Sequence, residues 1–539
     1  MSAILGFRKE FGKDLGPPSA RFSRTRQQRL EERKCCLSLP WDPRNGNKHP
    51  REGARRSLSI SSLLACIVLF SSLALAQQSW QQISVPPLPQ FNPQHPTRVQ
   101  LPNGMVIFLQ EDHELPLISA TALIRGGSTM EPAEKVGLVS IYAATWRTGG
   151  TEKKTGDQLD DELEAMAAKV ETGGASDFTS VSLNCLKENF DQVFADFMDV
   201  MQHPAFRDDK IALSKRRLET GIARRNDEVE SIASREVAKL GYGENSPYGR
   251  EMQYWTVEAV TRQDLVDWHQ RHFAPNNIIF GMVGDFDSKQ MEERLRTAFG
   301  GLPKGAPYVA PKIPVPGAKP GIYLAEKDDV NQSDISMIGL GIRRDNPDYF
   351  AVRVMNELFG GGFSSRLFKN LRSKQALAYE VGGGIGAAYN HSGLIDISMG
   401  TKSGSTAKAI EGLYQQIDDL LNNPPSEDEI KQSKDSILNG FVFAYDSPEK
   451  ILNEQLTYEV YGYPLDFLER FRAGVEKVTI ADVNRVAHKY IDKQKLAVLV
   501  VGNPNEFDKP LTTFGQVTKL DISIPTAPPG GKAVAAAKQ

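Results

Sequence analysis

Any metal centre, general base or activated nucleophile in this 539-residue chain must come from few side chains, since it carries eight histidines and four cysteines. His269 and His272, in DWHQRHFAPNN, stand three apart on one face of a predicted helix, a spacing that can present two imidazoles to one metal ion. No third ligand matches them, and a later stretch of similar sequence holds His488 alone, so all three read as ordinary helix residues. His113, His203 and His391 lie apart in loop-like sequence and form no cluster. Cys185, in the alternating stretch VSLNCLKEN, reads as a small buried hydrophobe, not a reactive thiol. The Gly-rich segment LFGGGFSSRLFKNLRSKQALAYEVGGG (358–384) carries Arg372 and Tyr379, seven apart. Without further context Arg372 would read as half of a surface ion pair and Tyr379 as a core aromatic.

The elements that position these residues come in two copies. VEAVTRQDLVDWHQRHFAPNNIIFGMVGDFD starts at Val257, and VEKVTIADVNRVAHKYIDKQKLAVLVVGNPNEF starts 218 residues later at Val475. A second pair of segments, around Ile211 and Ile430, is offset by 219. Each copy opens with β-rich runs, MVIFLQEDHELPLISATALIRGG and GIYLAEKDDVNQSDISMIGLGI. Long amphipathic stretches follow, such as NFDQVFADFMDVMQH and AKAIEGLYQQIDDLL. Mixed strand and helix signals predict an α+β protein, each copy being a sandwich of a sheet and helices. The expected organisation is a first domain at 95–303, a Pro-rich linker at 304–320, a second domain at 321–508 and a disordered tail at 520–539. Within the first domain, VETGGASDFTSVSLNCL reads as a sheet-edge strand.

Residues 55–76 read as a signal peptide: Arg55-Arg56, an apolar run shorter than a membrane span, then Ala74-Leu75-Ala76 with cleavage expected after Ala76. The polar segment 1–54 before it fits no targeting signal and is consistent with a start assigned too early. Cleavage would leave Cys185 as the one cysteine of an exported, periplasmic chain, with neither a disulfide nor a cysteine zinc site within it. A formal net charge of -3 gives no case for nucleic acid or an anionic membrane as partner.

GLVSIYAATWRTGGTEKKT (137–155), the tandem units and the Pro-rich hinge together resemble the pitrilysin-type, insulinase-like metallopeptidase family, over about Pro96 to Gly502. The resemblance implies the tandem α/β sandwich fold of that family. In its active members a frame like Gly-Leu-x-His-x-x-Glu-His supplies two zinc ligands one helical turn apart, with a Glu between them as base. Set on Gly137-Leu138, that frame puts Ser140, Ala143 and Ala144 at the ligand, base and ligand positions. None can do the work, and Glu219, in the window of the third ligand, reads as a solvated helix residue beside Arg216 and Arg217. The resemblance also matches Arg372 and Tyr379 to an Arg and a Tyr that reach across a chamber to zinc in a facing half, and this reverses the plainer reading of the two residues. It implies a chain with no metal of its own. Zinc would be held by a homologous partner subunit bearing His-x-x-Glu-His, and unfolded peptides would be the substrate. Two alternatives stand beside it: a purely structural homologue, and a self-sufficient metallopeptidase, against which the missing ligands weigh.

Overall fold

A computed structural model of the chain describes residues 94–528. The expected extension and signal peptide (1–54 and 55–76) lie outside the described residues, as does the end of the tail.

The first half builds a six-stranded sheet from β1 (Thr97–Gln100), β2 (Val106–Glu111), β3 (Leu117–Arg125), β4 (Lys169–Gly174), β5 (Phe178–Leu186) and β6 (Ile278–Gly284), in the order β1-β2-β6-β3-β5-β4. The second half builds a seven-stranded sheet from β7 (Gly321–Glu326), β8 (Gln332–Leu340), β9 (Ile342–Arg343), β10 (Glu380–Ala388), β11 (Ser392–Lys402), β12 (Ala497–Gly502) and β13 (Val517–Leu520), in the order β13-β7-β12-β8-β11-β10-β9. The runs β2-β6-β3-β5-β4 and β7-β12-β8-β11-β10 have the same sequence order, and each has one parallel pair followed by three antiparallel ones. The sequence repeat is thus a repeat of topology. Its central strands, IIFGMVG and AVLVVG, are buried at every position, as strands covered on both faces must be.

Helices of the first half are α1 (Leu138–Thr148), α2 (Gly156–Ala165), α3 (Phe190–Gln202), α4 (Asp208–Ala223), α5 (Val229–Tyr242), α6 (Tyr254–Glu258), α7 (Arg262–His272) and α8 (Ser288–Gly300). Those of the second are α9 (Tyr349–Gly360), α10 (Thr406–Asn422), α11 (Glu427–Ala444), α12 (Pro448–Tyr461), α13 (Phe467–Lys477) and α14 (Ile480–Tyr490), with a π-helical segment at Phe368–Lys374. The repeat extends to the caps. Thr261 and Asp264 form a capping box at the start of α7, and Thr479 and Asp482 form its counterpart at α14.

The halves exchange one helix each. Ile232, Ala233 and Val237 of α5 pack on Ala325, Ile338, Ala497, Leu499 and Val501 of the second sheet. Leu452 and Leu456 of α12 pack on Val106, Phe108, Leu123, Ile279 and Val283 of the first. Polar ties secure the joint. Arg98 binds Glu459 in a fork at 2.9 and 2.8 Å, and Asp177 accepts from Tyr461 at 2.8 Å and Asn390 at 2.9 Å.

Two expectations need correction. Only Lys169–Gly174 of the expected edge strand is an edge; Phe178–Leu186 pairs on both sides, with β4 and β3, because its alternating apolar residues fill the core. The tail is also ordered beyond 520. Ile522 and Ile524 pack against the two cores, and the Ile522 carbonyl accepts from Asn226 at 2.6 Å.

Candidate functional site

Helix α1 is held rigidly at its start. The Glu131 carboxylate accepts from the backbone N–H of Val139 at 2.6 Å and of Gly137 at 3.2 Å, occupying the donors a helix start leaves open. Burial raises the Glu131 pKa, and these two hydrogen bonds oppose the shift. Arg250 donates to the Ser128 and Glu131 carbonyls at 3.0 and 2.7 Å, fixing the turn that carries the cap. The inner face of α1 is aromatic. The rings of Tyr142, Trp146, Phe206 and His269 cluster with centroids 4.8 to 6.1 Å apart, and the Tyr142 hydroxyl meets His269 Nδ1 at 2.9 Å.

Ser140 and Ala144 lie one turn apart on the exposed face of α1, while Ala143 between them is 6% exposed. Edge strand β4 runs across this region. Thr172 donates to the Ala143 carbonyl at 2.6 Å, and a Cβ on Gly174 would fall 2.8 Å from Val139 Cγ1, so glycine permits the approach. Glu219 is half-buried on α4, which packs on α1. A zinc ion needs imidazole, thiolate or carboxylate donors, and the three frame positions offer one hydroxyl and two methyl groups. These residues do not fit the metal. Among the described residues no group of three or more His, Cys, Asp and Glu is placed to hold one.

His269 and His272 are both buried on α7, and burial pushes each imidazole down to about 4. Neutral at pH 7 and packed on Tyr142 and Trp268, they are core residues. Cys185 is fully buried in β5, and burial raises its thiol to about 11.

The second segment is anchored behind and open in front. Leu367 and Leu371 are fully buried, and Arg366 grips Glu429 through two hydrogen bonds of 2.8 and 3.0 Å. From that footing the π-helical turn presents Arg372 to solvent, its guanidinium 4.9 Å from the Phe368 ring centre. Tyr379 is 48% exposed just before β10, its backbone N–H bonded to the Gly400 carbonyl at 2.9 Å. Its hydroxyl has no hydrogen-bond partner among the described residues. Among the described residues Arg372 has no ion-pair partner, and Tyr379 is not a core residue. No hydrogen bond, ion pair or ring contact joins either residue to Ser140, Ala143 or Ala144.

The family model described as insulinase (peptidase family M16) matches residues 106–252, and the model described as the peptidase M16 inactive domain matches residues 259–437. The chain belongs to peptidase family M16. It is a member without the family's zinc site. A protein of Helicobacter pylori called "Non-peptidase homolog YmxG" is 21% identical over 407 residues, covering 74% of this chain and 91% of that relative. A "Probable inactive metalloprotease YmfF" of Bacillus subtilis is 24% identical over 54% of this chain and 68% of its own length. The crystal structure of a peptidase M16 inactive domain from Pseudomonas fluorescens superposes with a TM-score of 0.70 at 24% identity, covering 78% of this chain and all of that one. It shares the fold. Among the described residues no helix of this M16 chain is long and apolar enough to cross a membrane.

Proposed function

We propose that this chain is the non-zinc subunit of an exported, two-chain M16 peptidase, supplying Arg372 and Tyr379 to a zinc centre held by a homologous partner. One observation carries the reading: the frame helix has lost every metal-binding group, while Arg372 and Tyr379 stand exposed on a well-anchored segment. In the assembly the Tyr379 phenol and the Arg372 guanidinium donate to the carbonyl oxygen of the scissile peptide as charge develops on it. The partner's His-x-x-Glu-His would hold the zinc, which when bound would supply the activated water. An extended, unfolded peptide adds to the open edge of β4 through backbone hydrogen bonds. Export rests on the signal-like segment 55–76.

The test is co-expression with a homologue bearing His-x-x-Glu-His, followed by hydrolysis of an unstructured peptide. Activity should need both chains, and Arg372→Ala or Tyr379→Phe should lower kcat by about 10²-fold or more, on the scale of one lost oxyanion donor, with assembly intact. Full activity in both variants would sink the shared-site reading. A purely structural role is the second reading, supported by the non-peptidase naming of the Helicobacter pylori relative. It predicts a stable complex whose hydrolysis is indifferent to both substitutions.

A further inference from the structure

On the way from Arg372 to Tyr379 the backbone departs twice from ordinary geometry. Phe368–Lys374 is wound as a π-helix, a rare form that occurs frequently at functional sites. Ala376 then takes the left-handed conformation at φ 52°, a place that glycine usually fills at a helix end. Across that residue the Leu377 N–H closes back on the Leu371 carbonyl at 2.9 Å. An alanine held at positive φ is strained, and such strain persists only where the surroundings impose it.

Residues of β11 and α10 impose it. On β11, the buried Thr401 hydroxyl donates to the Leu377 carbonyl at 2.6 Å, and the Gly400 carbonyl accepts the Tyr379 N–H at 2.9 Å. On α10, Gln416 accepts from the Asn370 side chain at 2.6 Å. Gly412 stands one turn earlier on the same face of that helix, and a Cβ on it would fall 2.9 Å from Leu371 Cδ2. Glycine inside a helix is unfavourable for the helix itself, so the close approach of Leu371 is what explains this one. Leu371 and Leu377, the two ends of the closure, are buried, as are Thr401, Gly412 and Gln416. The path between the two exposed side chains is thus fixed from behind by residues remote in sequence.

We propose that Thr401 and Gly412 are positioning residues for Arg372 and Tyr379. Both are buried, so neither touches a substrate. Thr401 fixes the carbonyl two residues before Tyr379, and so the point from which the phenol leaves the sheet. Gly412 seats Leu371, the neighbour of Arg372, and so the point from which the guanidinium leaves the π-helical turn. The consequence for hydrolysis rests on the subunit role proposed above. There, a donor about 1 Å out of place costs about 10²-fold in rate.

The test labels the full chain with fluorotyrosine and assigns the Tyr379 line in the fluorine NMR spectrum as the one missing from Tyr379→Phe. Thr401→Val keeps the shape and loses the donor, and it should shift or split that line with the thermal midpoint maintained. Thr401→Ser returns the donor and should return the line. Gly412→Ala, acting through Leu371 and its closure on Leu377, should move the same line, and it carries the test should Thr401→Val fail to fold. In the complex with a homologue bearing His-x-x-Glu-His, Thr401→Val should lower kcat about 10- to 100-fold with KM within about twofold, because an interaction made in the transition state is weakened. Thr401→Ser should recover the rate. A Tyr379 line unmoved in the folded variants overturns the inference. So does a moved line with unchanged kcat in an assembly whose rate Tyr379→Phe lowers. Where Tyr379→Phe leaves the rate intact, the shared-site reading fails, and the line by itself still decides the placement.

Discussion

Asp334→Asn should make the protein more stable at pH 8 and leave it almost unchanged at pH 4. In the fold, burial first, and then the charges of Asp396, Glu380 and Glu230, raise the Asp334 carboxyl from its usual 3.8 to about 7. The folded chain therefore holds this proton more tightly than the unfolded chain does. Stability must fall as pH rises from about 4 through about 7, and the loss is complete above that window. A difference of roughly three pH units corresponds to a ceiling of ~4 kcal/mol at about 1.4 kcal/mol per unit. Asp396, itself raised to about 6 by burial, is one of the charges acting on Asp334, so about 1–2 kcal/mol is expected from Asp334 alone. Asn keeps the shape and never ionises. Urea unfolding of wild type and variant at pH 4, 6 and 8 reads the effect directly, as a gap in midpoint that opens with pH. A variant equally or less stable than wild type at pH 8 would show that Asp334 is charged and well paired in the fold, and would refute the reasoning.

Other outcomes follow from other parts of the molecule. Arg366→Ala should cost about 1 kcal/mol at pH 7, a value reduced for the exposure of Glu429, and loosen the segment that carries Arg372. The Arg366 hydrogen bonds hold Glu429 down to about 2, so the gap should close as pH falls from about 4.5 towards 2, seen in paired acid titrations of unfolding. Leu456→Ala should cost about 2–5 kcal/mol, because this fully buried side chain joins α12 to the first sheet; denaturant midpoints measure it. Tyr142→Phe should cost about 1–3 kcal/mol by stranding His269 Nδ1 in the core, again by denaturant unfolding. Dialysed wild-type protein should carry no stoichiometric zinc by elemental analysis, and one tightly held equivalent would contradict the reading of α1.

Much of this fold is visible in periodicity. The offset between Val257 and Val475 is enough to predict two copies of one unit, because a repeated pattern of apolar residues and caps can only build the same elements twice. Strands such as IIFGMVG and AVLVVG declare themselves through unbroken apolar runs. The loss of metal chemistry is equally legible, since Ser140, Ala143 and Ala144 cannot ligate zinc in any fold. The placing of Arg372 and Tyr379 in an exposed position is not. Their residue types alone favour an ion pair and a core aromatic; the buried Leu367 and Leu371 beneath the π-helical turn leave Arg372 outside, and Tyr379 lies exposed just before β10.

What the sequence by itself determined, then, is local or periodic: element types, the duplicated unit, and an absent ligand set. Tertiary structure alone decided what depends on distant segments meeting. The exchange of α5 and α12 between the halves has no periodic signature, because an amphipathic helix specifies that it must cover an apolar sheet face but not which sheet. The row of Glu380, Gly400 and Asp334 across β10, β11 and β8 arises from strands remote in sequence, whose register is set by the core on the other face of the sheet. Nothing in the spacing of those three residues marks them as neighbours. Only the paired strands bring two carboxylates to either side of a missing side chain.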